Sequence, residues 1–270
     1  MSLQIIKPFL PFTKSLVYIA RPETSSSNGF PPEIILKIFD PRYDIGRIQP
    51  LSKLDHPHLW TLKAETEAAQ YRQEIAEGKR TDVLTTDPYC VYRKGKDKPA
   101  PFLLEEKYHR YFMEMSKNEV DAYTQLLSFQ GTVIPKFYGS GKLLFPPNTR
   151  SIEPPAVLIE YIHGTTLSAY LAAKRSLANI PPAIFHPLFD SMSKFKALGV
   201  YHGDPQTTNI LLSPPETPTR AILIDFGEAG VREYDESEEE WTACYQFYNG
   251  VNTLKAVLNA NGLNIKYDDY

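Results

Sequence analysis

Residues Val200–Leu212 read Val-Tyr-His-Gly-Asp-Pro-Gln-Thr-Thr-Asn-Ile-Leu-Leu. An apolar approach, Ala197-Leu198-Gly199-Val200, leads into His202, Asp204 and Asn209, and an apolar exit, Ile210-Leu211-Leu212, follows them. Polar residues set between two segments that bury themselves stand on a rigid base and project from it. An acid and an amide five positions apart offer a proton acceptor and a neutral oxygen ligand. Alone they define no reaction, so the rest of the chain has to supply what they need.

Downstream, Ile210–Leu212 and Ala221–Asp225 form the arms of a short hairpin joined by the Pro-rich Ser213–Arg220, and the second arm ends in Asp225-Phe226-Gly227. Upstream, Pro181–Leu198 places Ile184, Leu188, Met192, Phe195 and Leu198 on one helical face, its two prolines at the start where the first turn accepts them. A shorter helix is expected over Thr166–Ala173. A last one is expected over Ser237–Asn259, opened by the acids Glu238–Glu240 that suit a helix N-terminus. The aromatic residues near the end (Tyr245, Phe247, Tyr248, Tyr267, Tyr270) read as core rather than as an interface.

The first 160 residues read mainly as strands. Two are expected between Gln4 and Ala20, then a flexible connection, Arg21–Gly29, and a strand within Pro32–Asp40. That strand places Lys37 among apolar residues. Two readings stay open: an edge strand whose ammonium reaches water, or a buried cation that requires an anion. Residues 41–101 read as an insertion containing a helix over Thr61–Glu77 that Gly78 ends. Leu103–Phe129 is helical, expected as two helices with a break near Ser116, and Glu119 precedes the apolar Val120. Strands follow from Val133, at Lys142–Phe145 and over Ala156–Ile162.

Composition narrows the function classes. At 42% hydrophobic and 23% charged, the 270-residue chain has the profile of a globular protein. The net charge is −3 with Lys and Arg scattered, which argues against nucleic acid or an anionic membrane as main partner. Cys90 and Cys244 have no metal-binding spacing and suggest reduced thiols. No run of 18 apolar residues occurs, and the start, with Pro8 and Pro11, lacks a cleavage pattern. A soluble, cytoplasmic protein is the expectation.

Lys37 in a strand, Glu119 on a helix, His202-Gly-Asp-Pro-Gln-Thr-Thr-Asn209 in a loop and Asp225-Phe-Gly after a strand occur in the order of the protein kinases, which this chain resembles from about Ile34 to about Gly230. The His-Gly-Asp loop is closest to the small atypical branch: the kinase of the KEOPS tRNA-modification complex, the RIO kinases, the aminoglycoside and choline phosphotransferases, and fungal kinase-like proteins. The resemblance implies an α+β, two-lobed fold. Residues 1–162 would form an antiparallel-sheet N-lobe with the insertion, and 163–270 a short, mostly helical C-lobe.

It also implies ATP and Mg²⁺ as cofactors and γ-phosphoryl transfer to a hydroxyl of a protein or small molecule. Lys37 would hold the α- and β-phosphates and pair with Glu119. Asp204 would accept or orient the hydroxyl proton, Asn209 and Asp225 would bind Mg²⁺, Glu160-Tyr161-Ile162 would form the hinge that meets adenine, and Leu211 would lie under the base. His202 would brace the loop. The sequence departs from the family in three places: Pro8–Leu16 lacks the glycines that cover the phosphates, Ile35 replaces a small residue at the base, and no Ala-Pro-Glu follows Asp-Phe-Gly before the chain ends. A pseudokinase acting as a nucleotide-binding or scaffold module, with a protein partner, is therefore the alternative.

Overall fold

Ile34, Leu36 and Ile38 bury one face of a strand, and Lys37 is buried on the other, only 4% exposed. The computed structural model describes residues 1–23, 29–47, 57–93, 98–173, 180–248 and 250–263. In it the strands β1 (Leu3–Pro8), β2 (Leu16–Pro22), β3 (Ile34–Ile38), β4 (Phe137–Lys142) and β5 (Pro155–Glu160) form one sheet in the order β1-β2-β3-β5-β4. β1/β2 and β2/β3 pair antiparallel, with Lys37 opposite Val17 and Ile35 opposite Ile19. β3 is thus an inner strand. The edge-strand reading of Lys37 falls, because β3 has a strand on each side and the side chain is buried.

The chain divides into two compact units, one of residues 1–116 and 139–158, the other of 117–138 and 159–270. In the first, helix α1 (Leu62–Ala76) begins where Thr61 Oγ1 accepts from the Ala64 amide at 3.2 Å, and Gly78 follows its end with φ +69°. After the single turn α2 (Val83–Thr86), helix α3 (Pro101–Gln125) runs without interruption, its residues to Ser116 in the first unit and those from Lys117 in the second. The expected break near Ser116 is absent: no Gly or Pro interrupts the turn, and Ser116 is itself buried. The helix ends at Gln125, so Leu127 falls in a 3₁₀ turn and is exposed instead of continuing the apolar face. No separate strand forms at Lys142–Phe145, since β4 stops at Lys142 and Pro146-Pro147 turns the chain.

The insertion is tied into the first unit by ion pairs. Arg150 donates to Asp40 (2.9 Å) and Glu65 (2.8 Å), and Arg47 grips Glu105 through two bonds of 2.9 and 2.7 Å while His58 meets the same carboxylate. Asp40, Glu65 and Glu105 are thus each matched by a guanidinium fork, as removal from water requires.

The second unit contains β6 (Thr165–Thr166), α4 (Leu167–Ala172), α5 (His186–Phe195), β7 (Val200–Tyr201), β8 (Ile210–Ser213), β9 (Arg220–Leu223), β10 (Gly230–Val231), α6 (Glu238–Tyr248) and α7 (Gly250–Ala260). β6-β8-β9 and β7-β10 form two small sheets. The β8–β9 hairpin joins Ile210 to Leu223 and Ser213 to Arg220, as the sequence pattern requires. α5 buries Leu188, Met192 and Phe195, whereas the following 3₁₀ turn tightens the chain and leaves Leu198 exposed.

The expected last helix is two helices, and α7 starts at a glycine packed so closely on Pro205 that a Cβ would lie 1.6 Å from its ring. Tyr245 is core and donates to the Met192 carbonyl at 3.0 Å, while Phe247 is exposed and Tyr248 half-exposed against Tyr201. Tyr267 and Tyr270 lie outside the described residues. Among the described residues no helix is long and apolar enough to cross a membrane.

Candidate catalytic and metal-binding loops

Gly203 has φ +77°, and a Cβ there would stand 2.0 Å from the carbonyl oxygen of Glu228. Only glycine lets the loop approach the Asp225-Phe-Gly turn this closely. His202 then braces both segments. Its Nδ1 accepts from the Asp204 amide at 3.3 Å, which leaves the proton on Nε2 to donate to the Ile224 carbonyl at 3.0 Å. The ring meets Phe226 edge-on, with centroids 4.7 Å apart. The bracing role expected for His202 is the one its bonds describe.

From that base Asp204 and Asn209 face each other. Asn209 Nδ2 donates to the Asp204 carbonyl (2.9 Å) and to Asp204 Oδ2 (3.1 Å), and Gln206 Nε2 donates to Oδ1 (2.5 Å). The Asn209 carbonyl accepts from the Ile224 amide at 2.9 Å, so the residue is fixed at both its main chain and its NH₂. Its side-chain oxygen accepts no hydrogen bond among the described residues and remains available as a neutral oxygen ligand. One residue after Ile224, Asp225 takes the left-handed conformation, φ +68°, which an L-residue other than Asn or Asp adopts at a cost.

Tyr123 shows where other carboxylates gather. Its hydroxyl is buried, has no hydrogen-bond partner among the described residues, and is held well above the ordinary phenol range, first by burial and then by Glu119, Asp225 and Glu160. Glu119 lies one helical turn before it on α3 and is itself buried. The Tyr123 ring packs on Phe226 at 5.2 Å and stacks on Phe137 at 5.6 Å. Acids from a helix, a strand end and a loop thus all act through space on this one buried hydroxyl.

Glu160 is held at both ends: its amide donates to the Lys136 carbonyl (2.8 Å) and its Oε2 accepts from the Lys136 amide (3.0 Å). Its N–H is therefore committed, and of the expected hinge, Ile162 retains a main chain without hydrogen bonds among the described residues. Leu211 is half-buried on β8, where a Cβ on Gly164 would touch it. Lys37 belongs to the first unit, whereas Glu119, Glu160, Ile162, Asp204, Asn209, Leu211 and Asp225 all belong to the second.

No family model matches the chain, and no curated protein matches it. The site therefore rests on its own chemistry. Among the described residues no group of three or more His, Cys, Asp or Glu is placed to hold a metal ion. Asn209 and Asp225 carry side-chain oxygens of the kind Mg²⁺ takes from a protein, one or two to an ion. Sequence reasoning missed Gln206 and Tyr123. Gln206 was legible as a donor two residues past Asp204, while Tyr123 was hidden because an aromatic residue at helical spacing reads as ordinary core.

Proposed function

We propose that the protein is an ATP- and Mg²⁺-dependent phosphotransferase that moves the γ-phosphoryl group to a hydroxyl of a protein or small molecule. The observation that carries this reading is the Asp204–Asn209 pair: one amide holds the acid in place through its NH₂ and keeps its oxygen for a hard cation. Phosphoryl transfer demands little covalent work of a protein. It needs an oriented acceptor hydroxyl and counter-charge for the phosphates.

Asp204 supplies the first need. Its carboxylate, steered by Gln206 and Asn209, orients the acceptor hydroxyl and takes its proton as the oxygen bonds to the γ-phosphorus and the bond from that phosphorus to the departing ADP breaks. Asn209 and Asp225 would hold Mg²⁺ through their side-chain oxygens, and the bound ion would neutralise charge on the phosphates. By the resemblance Lys37 would serve the α- and β-phosphates, with Glu119 as its carboxylate counterpart. The support for this is that both are buried, which few Lys and Glu are without a charged task or partner. Main-chain groups of Ile162 and the Leu211 side chain would receive the base.

The test is Mg²⁺-dependent ATP turnover by the purified protein and its Asp225→Asn variant. The variant should lose turnover while keeping its unfolding midpoint, and turnover equal to the parent's would remove the proposal. One observation favours a second reading, a nucleotide-binding or scaffold module without transfer: β1 ends in Pro8, and its connection to β2, residues 9–15, carries Pro11 and no glycine. Thermal-shift titration separates the two. A stabilisation by ATP that requires Mg²⁺ supports the enzyme, and none at millimolar nucleotide supports the scaffold.

A further inference from the structure

We infer that the first unit contains a second ligand site, a groove bounded by α1, α3 and the β4–β5 connection that takes a small organic acid, a carboxylate or phosphate carried on an apolar body. Two adjoining hollows of about 460 and 570 Å³ make up the groove, and Arg72, His109 and Met113 line both. Their size is that of ordinary small-molecule sites. None of the residues assigned above to nucleotide, metal or catalysis lines either hollow, so the inference is independent of the proposed transfer activity.

The polar groups point to an anion. Arg72, Arg110, Lys142 and Arg150 line the groove against only two acids, Glu106 and Glu153. Arg150 is spent, since Asp40 and Glu65 take its guanidinium and its side chain is 2% exposed. Arg110 is likewise engaged by Glu106 and Asp82. Arg72 is different. It spends Nη1 on Glu106 (2.5 Å), and its Nε and Nη2 donate to nothing among the described residues. A guanidinium with two free donors is built to receive a carboxylate or phosphate. Lys142 adds an ammonium whose only ion pair among the described residues, to Glu153, is long at 3.6 Å and whose side chain is 66% exposed.

His109 supplies a neutral polar contact. Its Nδ1 is shielded from solvent yet has no hydrogen-bond partner among the described residues. Burial, and then the charges of Arg72 and Arg110, bring its pKa down to about 4, so the imidazole has one donor and one acceptor near neutrality. A shielded polar atom without a partner is costly unless something meets it. Around these groups stand Ile75, Met113, Phe145, Pro146 and Ile152, which give an apolar body its place. A bare inorganic anion would leave these walls unused.

The experiment is ligand-observed NMR titration of the full chain, in buffer free of Mg²⁺ and nucleotide, with phenyl phosphate and 4-phenylbutyrate as probes and benzyl alcohol as the uncharged control. Saturable binding of either acid is expected, and which one binds identifies the head group. Lys142→Gln, a change at an exposed side chain, should weaken it about fivefold, the equivalent of about 1 kcal/mol. Met113→Trp should fill the groove and abolish it, with circular dichroism confirming that the variant is folded. Absence of saturable binding by both acids, binding unchanged in Lys142→Gln, or equal binding of benzyl alcohol would overturn the assignment.

Discussion

The amide nitrogen of Asn209 lies 2.9 Å from the main-chain oxygen of Asp204 and 3.1 Å from its Oδ2. One NH₂ group therefore closes the five-residue loop and sets the direction of the acid. Asn209→Leu, close in size but without donors, should strand the Asp204 carbonyl and cost about 1–3 kcal/mol in urea unfolding. An unchanged midpoint would show that the loop is held by something else.

Gly203→Ala is expected to be more damaging. The new Cβ meets the Glu228 carbonyl at 2.0 Å, a backbone atom that no rotamer change can move aside, and the left-handed φ adds its own cost. A loss of about 3 kcal/mol or more is expected by chemical denaturation, together with a shift in the ring-current-sensitive NMR signals of His202 and Phe226. A loss under about 1 kcal/mol would mean that the two loops can separate freely.

Tyr123→Phe should stabilise the fold. Its hydroxyl is buried without a hydrogen bond among the described residues and near three carboxylates, so removing it deletes an unmet desolvation cost while the ring keeps its stacking on Phe137 and its tilted contact with Phe226. A gain of about 1 kcal/mol in the thermal midpoint comparison is the expected size. Destabilisation would reveal an unrecognised role for the oxygen.

His109 makes the stability pH-dependent. Burial, Arg72 and Arg110 lower its pKa from 6.5 to about 4, so between those values the unfolded chain binds a proton that the folded chain refuses. Stability from this residue is complete above pH 6.5 and falls as the pH drops toward 4. The loss is on the order of 2 kcal/mol once partial solvent access is discounted. Asp40, where arginine bonds outweigh burial, and Glu105 are both held below their ordinary range and lose their contribution at lower pH still. The difference between parent and His109→Gln midpoints across pH 4–7 isolates His109. Parallel curves would refute its role.

Lys37→Met should separate folding from activity. The residue is buried on an inner strand, and methionine keeps the length of its apolar stem while deleting the ammonium, at little packing cost. The thermal midpoint should change by less than that of Gly203→Ala, while Mg²⁺-dependent ATP turnover disappears. Retained turnover would exclude Lys37 from the chemistry.

Much of the local structure was legible because short-range rules produced it. Thr61 and Gly78 bracket α1 through capping and a left-handed stop, and the apolar, β-branched runs at Ile34–Ile38, Ile210–Leu212 and Ala221–Leu223 set strands where they occur. The misreadings came where tertiary packing overrode pattern. Ser116 suggested a break, yet burial within α3 suppresses it, and the apparent single helix Ser237–Asn259 is split, with Gly250 packed on Pro205. Leu127 and Leu198 fitted helical faces but sit in 3₁₀ turns, where the angular step differs.

By itself the sequence determined the identity and spacing of the chemical groups, because an Asp and an Asn five residues apart on either side of a turn can close on each other wherever the loop is placed. Only the tertiary structure decided which groups share an environment. It took Lys37 from a possible edge to the inside of a sheet, gathered acids from a helix, a strand end and a loop around Tyr123, and gave α1, α3 and the β4–β5 connection a common groove. Burial and long-range electrostatics depend on which segments exclude water from one another, and that is a property of the packed chain rather than of any stretch within it.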